Sequence, residues 1–473
     1  VSNPVARTGS SFASVSDRTS LGKAARDVAR LAEHGDWAPS EDRRDPVSVL
    51  EEQETDREPD LVPIRHGRMT ASPFAFFRGA AKIMSADLAA TPRSGLLAQL
   101  CGDAHLGNFG VFGSPERNLV FDIDDFDETL PGPFEYDVKR MVTSVAVVAR
   151  DNGFSRTDTR AACLASAAAY RTAVTEFARM GTMDVWYAHL SDRDVEDARL
   201  LSRSKGDRKA LARVERRVGR ARGRNSAQAL GRLGERVDGR YRIASRPPTL
   251  VPARDLPAVS GMNRTAIERY VREQYEGYIA TLDDDRRRLL ERFRLIDVAR
   301  KVVGVGSVGT RAYIALLQGR DEDDPLFLQV KEATRSVLED HLARSAFSAH
   351  GERVVRGQRL MQAVSDIFLG WFGGSDGRHY YWRQYRDMRA SPSLGKMSPS
   401  RLTRYARVCA WTLARAHSRS GDPVAEAAYL GRSDRFDRAV TRFATRYADQ
   451  NRRDYEAFLE AIRSGRLQAR EGS

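Results

Sequence analysis

Residues 96–127 constrain this chain more than any other stretch. Two apolar runs, Leu96-Leu97 with Leu100 and Leu119-Val120-Phe121, each run into a cluster of acids and amides. The first cluster is Cys101-Gly102-Asp103-Ala104-His105-Leu106-Gly107-Asn108, and the second is Asp122-Ile123-Asp124-Asp125-Phe126-Asp127. Gly113-Ser114-Pro115-Glu116-Arg117-Asn118 reads as the turn between two short strands. A fold built on this stretch must therefore hold several carboxylates at the ends of neighbouring strands. Carboxylates crowded in this way repel one another and need cations, or a proton, to coexist. An oxygen-rich set of this kind suits Mg²⁺, which takes one or two carboxylates and completes its shell with water and phosphate. The bland alternative is an acidic turn on a solvated loop.

The stretch resembles the catalytic and metal-binding loops of the protein-kinase-like phosphotransferases, the aminoglycoside and choline kinase branch above all. That branch carries Gly-Asp-x-His-x-Gly-Asn, then about a dozen residues, then Ile-Asp-x-x-Asp. Here stand Gly102-Asp103-Ala104-His105-Leu106-Gly107-Asn108 and Asp122-Ile123-Asp124-Asp125. The resemblance implies a catalytic set of Asp103, His105 and Asn108, with Asp103 as base or orienter of a substrate hydroxyl. It implies Mg²⁺ on Asn108 and Asp122, with Asp124 and Asp125 as rivals to Asp122. Cys101 departs from the family's usual His. Asp137 falls where the family has an Asp that braces the catalytic loop, at the start of the apolar Met141–Ala149 helix.

A second landmark is Arg300-Lys301-Val302-Val303-Gly304-Val305-Gly306-Ser307-Val308-Gly309-Thr310. It reads as strand, glycine-rich turn, strand. Glycines in such a turn let backbone N–H groups approach phosphate oxygens. An apolar strand follows, Leu326-Phe327-Leu328-Gln329-Val330-Lys331, and its terminal Lys matches the order of a kinase nucleotide lobe. The resemblance thus implies ATP on Gly304, Gly306, Ser307, Gly309 and Lys331. Lys331 should find its ion-pair partner on a following helix, Ala333–Ala346, with Glu339 the first choice and Asp340 and Glu332 behind it. Arg353–Gln362 and Tyr380–Tyr385 read as further strands, and the segment from Tyr385 to Met388 as the hinge beside the adenine.

Elsewhere the pattern is mostly helical. Residues 1–20, rich in small and hydroxyl side chains, suggest a disordered arm. Leu21–His34 has helical periodicity. In the segment 65–88, Ser72 can cap a helix with Pro73 in its first turn. Arg65, Arg68 and Arg78 in that segment are candidate phosphate contacts, because a guanidinium binds phosphate bidentately. Residues 157–180, 263–294, 400–417 and 436–461 read as helices. Residues 191–235 are densely charged and read as a solvated helical hairpin rather than a nucleic-acid face.

A net charge of +13 over 473 residues, carried almost wholly by Arg, favours nucleotides or acidic partners without being a nucleic-acid signature. Three widely spaced cysteines, with no metal-type spacing, fit a reducing cytoplasm. No apolar run approaches a membrane span, and no signal-peptide core is visible near residue 1.

Over residues 60–460 the chain also resembles an uncharacterised bacterial group, domain-of-unknown-function family 2252. The matching stretches are Arg68-Met69, Ser72–Gly79, the 101–127 block, Gly304–Thr310 and Gln329–Ala333. Together the motifs imply an α+β, two-lobed protein-kinase-like fold with extra helices. Its catalytic loop precedes its glycine-rich turn, so a circular permutation is expected. The division expected is an arm (1–59), a catalytic part with a helical insert (60–296), a β-rich nucleotide-binding part (297–390) and a helical completion (391–473). The expected function is ATP- and Mg²⁺-dependent phosphoryl transfer to a hydroxyl-bearing small molecule. Nucleotidyl transfer and non-catalytic nucleotide binding are the alternatives.

Overall fold

The computed structural model describes residues 13–191, 226–237, 240–256, 264–302, 304–374, 376–385 and 388–470. The first twelve residues of the expected arm, most of the charged 191–235 segment and part of the expected hinge lie outside them. The architecture is mixed α+β.

Helices Phe134–Asp151, Arg156–Phe177, Pro399–Ser418 and Arg435–Arg463 build one apolar body. Its interior includes Met141, Val145, Ala162, Tyr170, Cys409, Leu413, Phe436 and Phe443. The Phe134–Asp151 helix is buried on every side from Phe134 to Ala149. A helix enclosed all round belongs at the centre of a body rather than on its surface. Its first turn carries Asp137 and, one turn later, Arg140, so two charged groups are delivered to the interior.

Against this body lie short strands. β1 (Leu97–Leu100) pairs antiparallel with β4 (Leu130–Pro133). β2 (Phe109–Gly113) and β3 (Leu119–Ile123) form the hairpin expected around residues 113–118, and β5 (Leu190–Ser191) joins β3. A second small hairpin joins β6 (Gly234–Val237) and β7 (Arg240–Ile243).

The remaining strands make one antiparallel sheet: β8 (Leu250–Pro252), β9 (Arg294–Lys301), β10 (Ala312–Gln318), β11 (Pro325–Ala333), β12 (Gly370–Gly373) and β13 (His379–Gln384). Their spatial order is β12-β13-β11-β10-β9-β8. Successive side chains of a strand face opposite ways. Ile314 and Leu316 accordingly pack with Phe327, Leu230 and Leu233, while Ala315 and Leu317 pack with Leu328, Tyr278 and Trp382. Tyr278 stacks on Trp382 with centroids 4.7 Å apart, which fixes the Arg264–Ile279 helix on that face. The Pro247-Pro248 stretch leads into edge strand β8.

Several local expectations change. No helix covers 333–346. β11 runs to Ala333 and is followed by a single 3₁₀ turn, Val337–Asp340. The helix comes later, at His350–Met361, where Arg353–Gln362 suggested a strand. Val354, Val355 and Met361 belong to the main core while Glu352 and Arg356 turn outward, a helical spacing that a β-branched pair disguises. Val15–Val28 is helical and capped by Ser14, so the helix begins within the stretch expected to be disordered. Residues 65–88 resolve into Val62–Met69, Pro73–Gly79 and Ala81–Ala89, and Ser72 caps the middle helix as its spacing suggests.

Candidate active site

The Gly102–Asn108 loop leaves β1 in one defined conformation. Gly102 has φ +82°, and a Cβ there would lie 2.3 Å from the Glu128 carbonyl oxygen. Only glycine satisfies both conditions. The amides of Cys101 and Gly102 donate to the Asp137 carboxylate at 2.8 and 3.0 Å. His417 Nε2 lies 3.2 Å from the same carboxylate, and its Nδ1 is 2.7 Å from the Tyr170 hydroxyl. Asp137 thus braces the loop from the first turn of the buried helix.

Asp103 points its carboxylate at Arg140, 2.7 Å away, with His105 Nε2 at 3.6 Å. Asn108 Nδ2 donates to the Asp103 carbonyl at 2.8 Å, which locks the two residues together. His105 Nδ1 accepts from the Gly107 amide, and the ring meets Phe74 edge-on. Burial pulls the His105 imidazole down to about 4, so it stays neutral near pH 7 and holds the loop rather than carrying charge.

The four aspartates after β3 have different fates. Asp122 is fully enclosed. Its carboxylate takes Arg415 at 2.6 Å and the amides of Ile123 and Ala363 at 2.9 and 2.8 Å. Asp122, expected as a metal ligand, is thus enclosed in this structure and does not line the cavity described below. Asp124 pairs with Arg389 and does not line the cavity described below. Asp125 and Asp127 do line it, at 32% and 29% side-chain exposure. Lys331 Nζ bridges them, 3.3 Å from Asp125 and 3.0 Å from Asp127. Burial alone would raise the Asp125 carboxyl; Lys331 and Arg383 outweigh it and hold the group well below the usual carboxylate range. Burial would likewise lower the Lys331 ammonium, but Asp125 and Asp127 raise it above its ordinary value.

Lys331 therefore pairs with the acidic loop and not with Glu339. The Glu339 carboxylate lies 3.9 Å from both Arg335 and Arg353 and caps its own 3₁₀ turn through the Ser336 amide. The cause is the shortened element. With one turn where a helix was expected, Glu339 faces the main body.

The glycine-rich turn closes over the same place. Ser307 Oγ donates to Asp127 at 3.3 Å, and Tyr381 Oη donates to the other Asp127 oxygen at 2.6 Å. Asp127 thus ties the turn, β11 and β13 to the acidic loop. Gly304 accepts from Arg68 at 2.6 Å, and Gly309, at φ +91°, accepts from the Glu58 amide at 2.7 Å. A Cβ on Gly306 would sit 3.1 Å from the Arg78 carbonyl oxygen. Between the turn, the Asp103 loop and the acidic loop lies a cavity of about 270 Å³. Asp103, His105, Asn108, Asp125, Gly304, Gly306 and Ser307 all border it. The rest of its wall includes Arg78 and Lys82, Glu332, Thr334–Val337 and Asp340, and Glu52, Gln53, Asp56 and Arg57, the last four in the region read from sequence as an arm.

Of the residues expected at the site, the structure brings together both loop motifs and part of the turn; Asp122, Asp124 and Glu339 stand apart. The sequence named Asp127 only as one of the acidic cluster, and passed over Arg140, Tyr381 and the 52–57 wall as site residues. Asp127 carried a signal, the two-residue alternation Asp125-Phe126-Asp127, in which Phe126 is buried at 1% exposure. Arg140 lies one helical turn from Asp137, so a helix starting near 134 places both on one side.

Among the described residues no group of three or more His, Cys, Asp or Glu side chains forms a metal cluster, and no helix is long and apolar enough to cross a membrane. Cys101, Cys163 and Cys409 are all free and buried. Neither the curated proteins nor the solved structures contain a significant match to the chain. A protein-family model described as "Uncharacterized protein conserved in bacteria" matches residues 57–461, which takes in both motifs and most of the cavity wall. The chain belongs to that family, DUF2252.

Proposed function

We propose that this protein is an ATP- and Mg²⁺-dependent phosphotransferase that phosphorylates a hydroxyl of a small molecule. One observation carries the reading: residues of two motifs about two hundred residues apart in the chain, Asp103, His105 and Asn108 with Asp125 and Asp127, and Gly304, Gly306, Ser307 and Thr310, border a single cavity, and Lys331 pairs with the two carboxylates Asp125 and Asp127. Phosphoryl transfer needs charge neutralisation and in-line placement more than covalent help, and those are the parts assembled here.

The donor set fits the groups the reaction needs. Asp125, Asp127 and Asn108 offer two carboxylates and an amide oxygen, enough for Mg²⁺ when phosphate and water complete its shell. That ion would neutralise charge on the phosphates. Lys331, now held between the two carboxylates, would exchange them for phosphate oxygens once the cation takes its place. The backbone of the Gly306 turn borders the cavity where the phosphates would lie, and the Arg78 carbonyl, 3.1 Å from where a Cβ on Gly306 would be, makes a side chain there a tight fit. Asp103, fixed by Arg140, orients the acceptor hydroxyl and takes up its proton.

The layout supports a two-lobed, circularly permuted kinase-like arrangement. Strand, glycine-rich turn, strand, Lys-bearing strand and helix follow in the order β9, 304–310, β10, β11 and His350–Met361. The test is calorimetric titration with MgATP of the wild type, Asp125→Asn and Lys331→Ala. Saturable, Mg²⁺-dependent binding that weakens in both variants is expected. A folded, monodisperse wild type that binds no purine nucleotide would refute the proposal.

A further inference from the structure

Among the described residues that line the cavity, Arg78 is the cation whose side chain makes no hydrogen bond or ion pair to the protein. Lys331 is neutralised by Asp125 and Asp127, Lys82 by Glu52 and Asp340, and Arg335 by Asp340. Arg57 spends its Nη1 on the Val308 carbonyl. Among the described residues no hydrogen bond or ion pair engages the Arg78 guanidinium, and its buried Nε has no partner. The other enclosed arginines have carboxylates or carbonyls: Arg65 with Glu54 and Gly79, Arg353 with Thr129, Arg415 with Asp122. An enclosed Nε left without an acceptor is costly, and the five donors of a guanidinium match phosphate oxygens in a fixed fork.

The backbone around Arg78 is clamped. Arg140, which also holds Asp103, donates to the Phe77 carbonyl at 2.9 Å, and Arg65 donates to the Gly79 carbonyl at 2.7 Å. Ser72 caps the helix, and Asp151 accepts the Phe74 amide at 2.9 Å. The Arg78 carbonyl lies beneath Gly306, and its Nε lies 3.5 Å from where a Cβ on Gly107 would be. Arg78 therefore touches the glycine-rich turn with its backbone and the catalytic loop with its side chain. The nearby charges acting on it, Asp103 and Asp125, belong to the proposed acceptor and metal positions.

Resting on the proposed phosphotransfer, we infer that Arg78 binds the terminal phosphate of the nucleotide and stabilises the phosphoryl group in transit. In that step the acceptor oxygen bonds to the terminal phosphorus. The bond from that phosphorus to its bridging oxygen breaks, the electron pair leaves with the nucleoside diphosphate, and the hydroxyl proton passes to Asp103. Arg78 meets the equatorial oxygens, where charge collects, on a backbone already in place.

The experiment compares the affinities of Mg²⁺-loaded ATP, ADP and AMP for wild type, Arg78→Ala and Arg78→Lys by calorimetry. Loss of charge-assisted hydrogen bonds to one phosphate should weaken ATP about 10- to 100-fold in Arg78→Ala, with ADP and AMP unchanged. Arg78→Lys should recover part of that loss. As a measurement independent of variant folding, phenylglyoxal labelling of wild-type Arg78, followed by mass spectrometry, should be blocked by MgATP and not by MgAMP. Equal weakening of all three nucleotides, no weakening of ATP, or labelling that ATP does not block would overturn the inference and leave the phosphotransferase reading standing. A wild type that binds none of the three would remove both.

Discussion

Replacing Asp122 separates a structural aspartate from a metal-binding one. In Asp122→Ala, Arg415, itself 1% exposed, is left as a buried charge without its counter-ion. The amides of Ile123 and Ala363 lose their acceptor as well. Breaking one side of a buried ion pair costs about 3–5 kcal/mol. Each stranded amide adds about 1–3 kcal/mol before relaxation, and water or a shift of the Arg415 side chain recovers some of it. A net loss of about 4 kcal/mol is expected. With a denaturant slope of about 3 kcal/mol per M urea, the midpoint should fall by more than 1 M. Tryptophan fluorescence follows the unfolding, and calorimetry of the remaining folded protein follows Mg²⁺-dependent nucleotide binding. Asp125→Asn is the contrasting variant: its carboxylate is a third open, so its midpoint should move by less than about 0.5 M while Mg²⁺-dependent binding is lost. An Asp122→Ala protein that keeps the wild-type midpoint but loses Mg²⁺ dependence would show the reasoning to be wrong.

Other outcomes follow from the same contacts. Asp137→Ala strips the acceptor from the Cys101 and Gly102 amides; activity should fall at least tenfold together with a stability loss of about 2–4 kcal/mol, read by urea unfolding and by release of ADP from ATP. Gly102→Ala drives a Cβ into the Glu128 carbonyl at positive φ, and it should destabilise the protein more than Gly153→Ala, where the same φ region meets open space; thermal unfolding of the two variants side by side checks this. Burial pushes the Glu426 carboxyl up to about 7, against an unfolded value of 4.5. A raised carboxyl binds its proton more tightly in the folded state, so its contribution to stability is full below about pH 4.5 and is lost as pH rises through 7. Glu426→Gln should therefore gain stability relative to wild type between pH 5 and 8, by up to about 3 kcal/mol for a shift of this size; parallel urea midpoints across that range, unchanged in their difference, would contradict it.

What the sequence determined by itself was local. The spacing Gly102-Asp103-x-His105-x-Gly107-Asn108, the turn at 113–118 and the glycines of 304–309 are short-range patterns. Their conformations follow from steric rules that act within a few residues, and the structure has the hairpin, the turn and the loop where those rules put them. The periodicity of Arg156–Phe177, Pro399–Ser418 and Arg435–Arg463 made the helical body legible for the same reason. The tertiary structure decided which of several equivalent carboxylates faces the cavity. Asp122, Asp124, Asp125 and Asp127 are chemically alike in the chain. Arg415, nearly three hundred residues away, takes the first, Arg389 the second, and Lys331 the last two. It also decided that Glu339 turns from Lys331, because one 3₁₀ turn stands in place of a helix, and that Glu52–Arg57 walls the cavity. Charge pairing in a folded protein is a matter of distance through space, and the energy of a buried pair depends on what else is enclosed with it. Neither quantity is written in the spacing of residues along the chain.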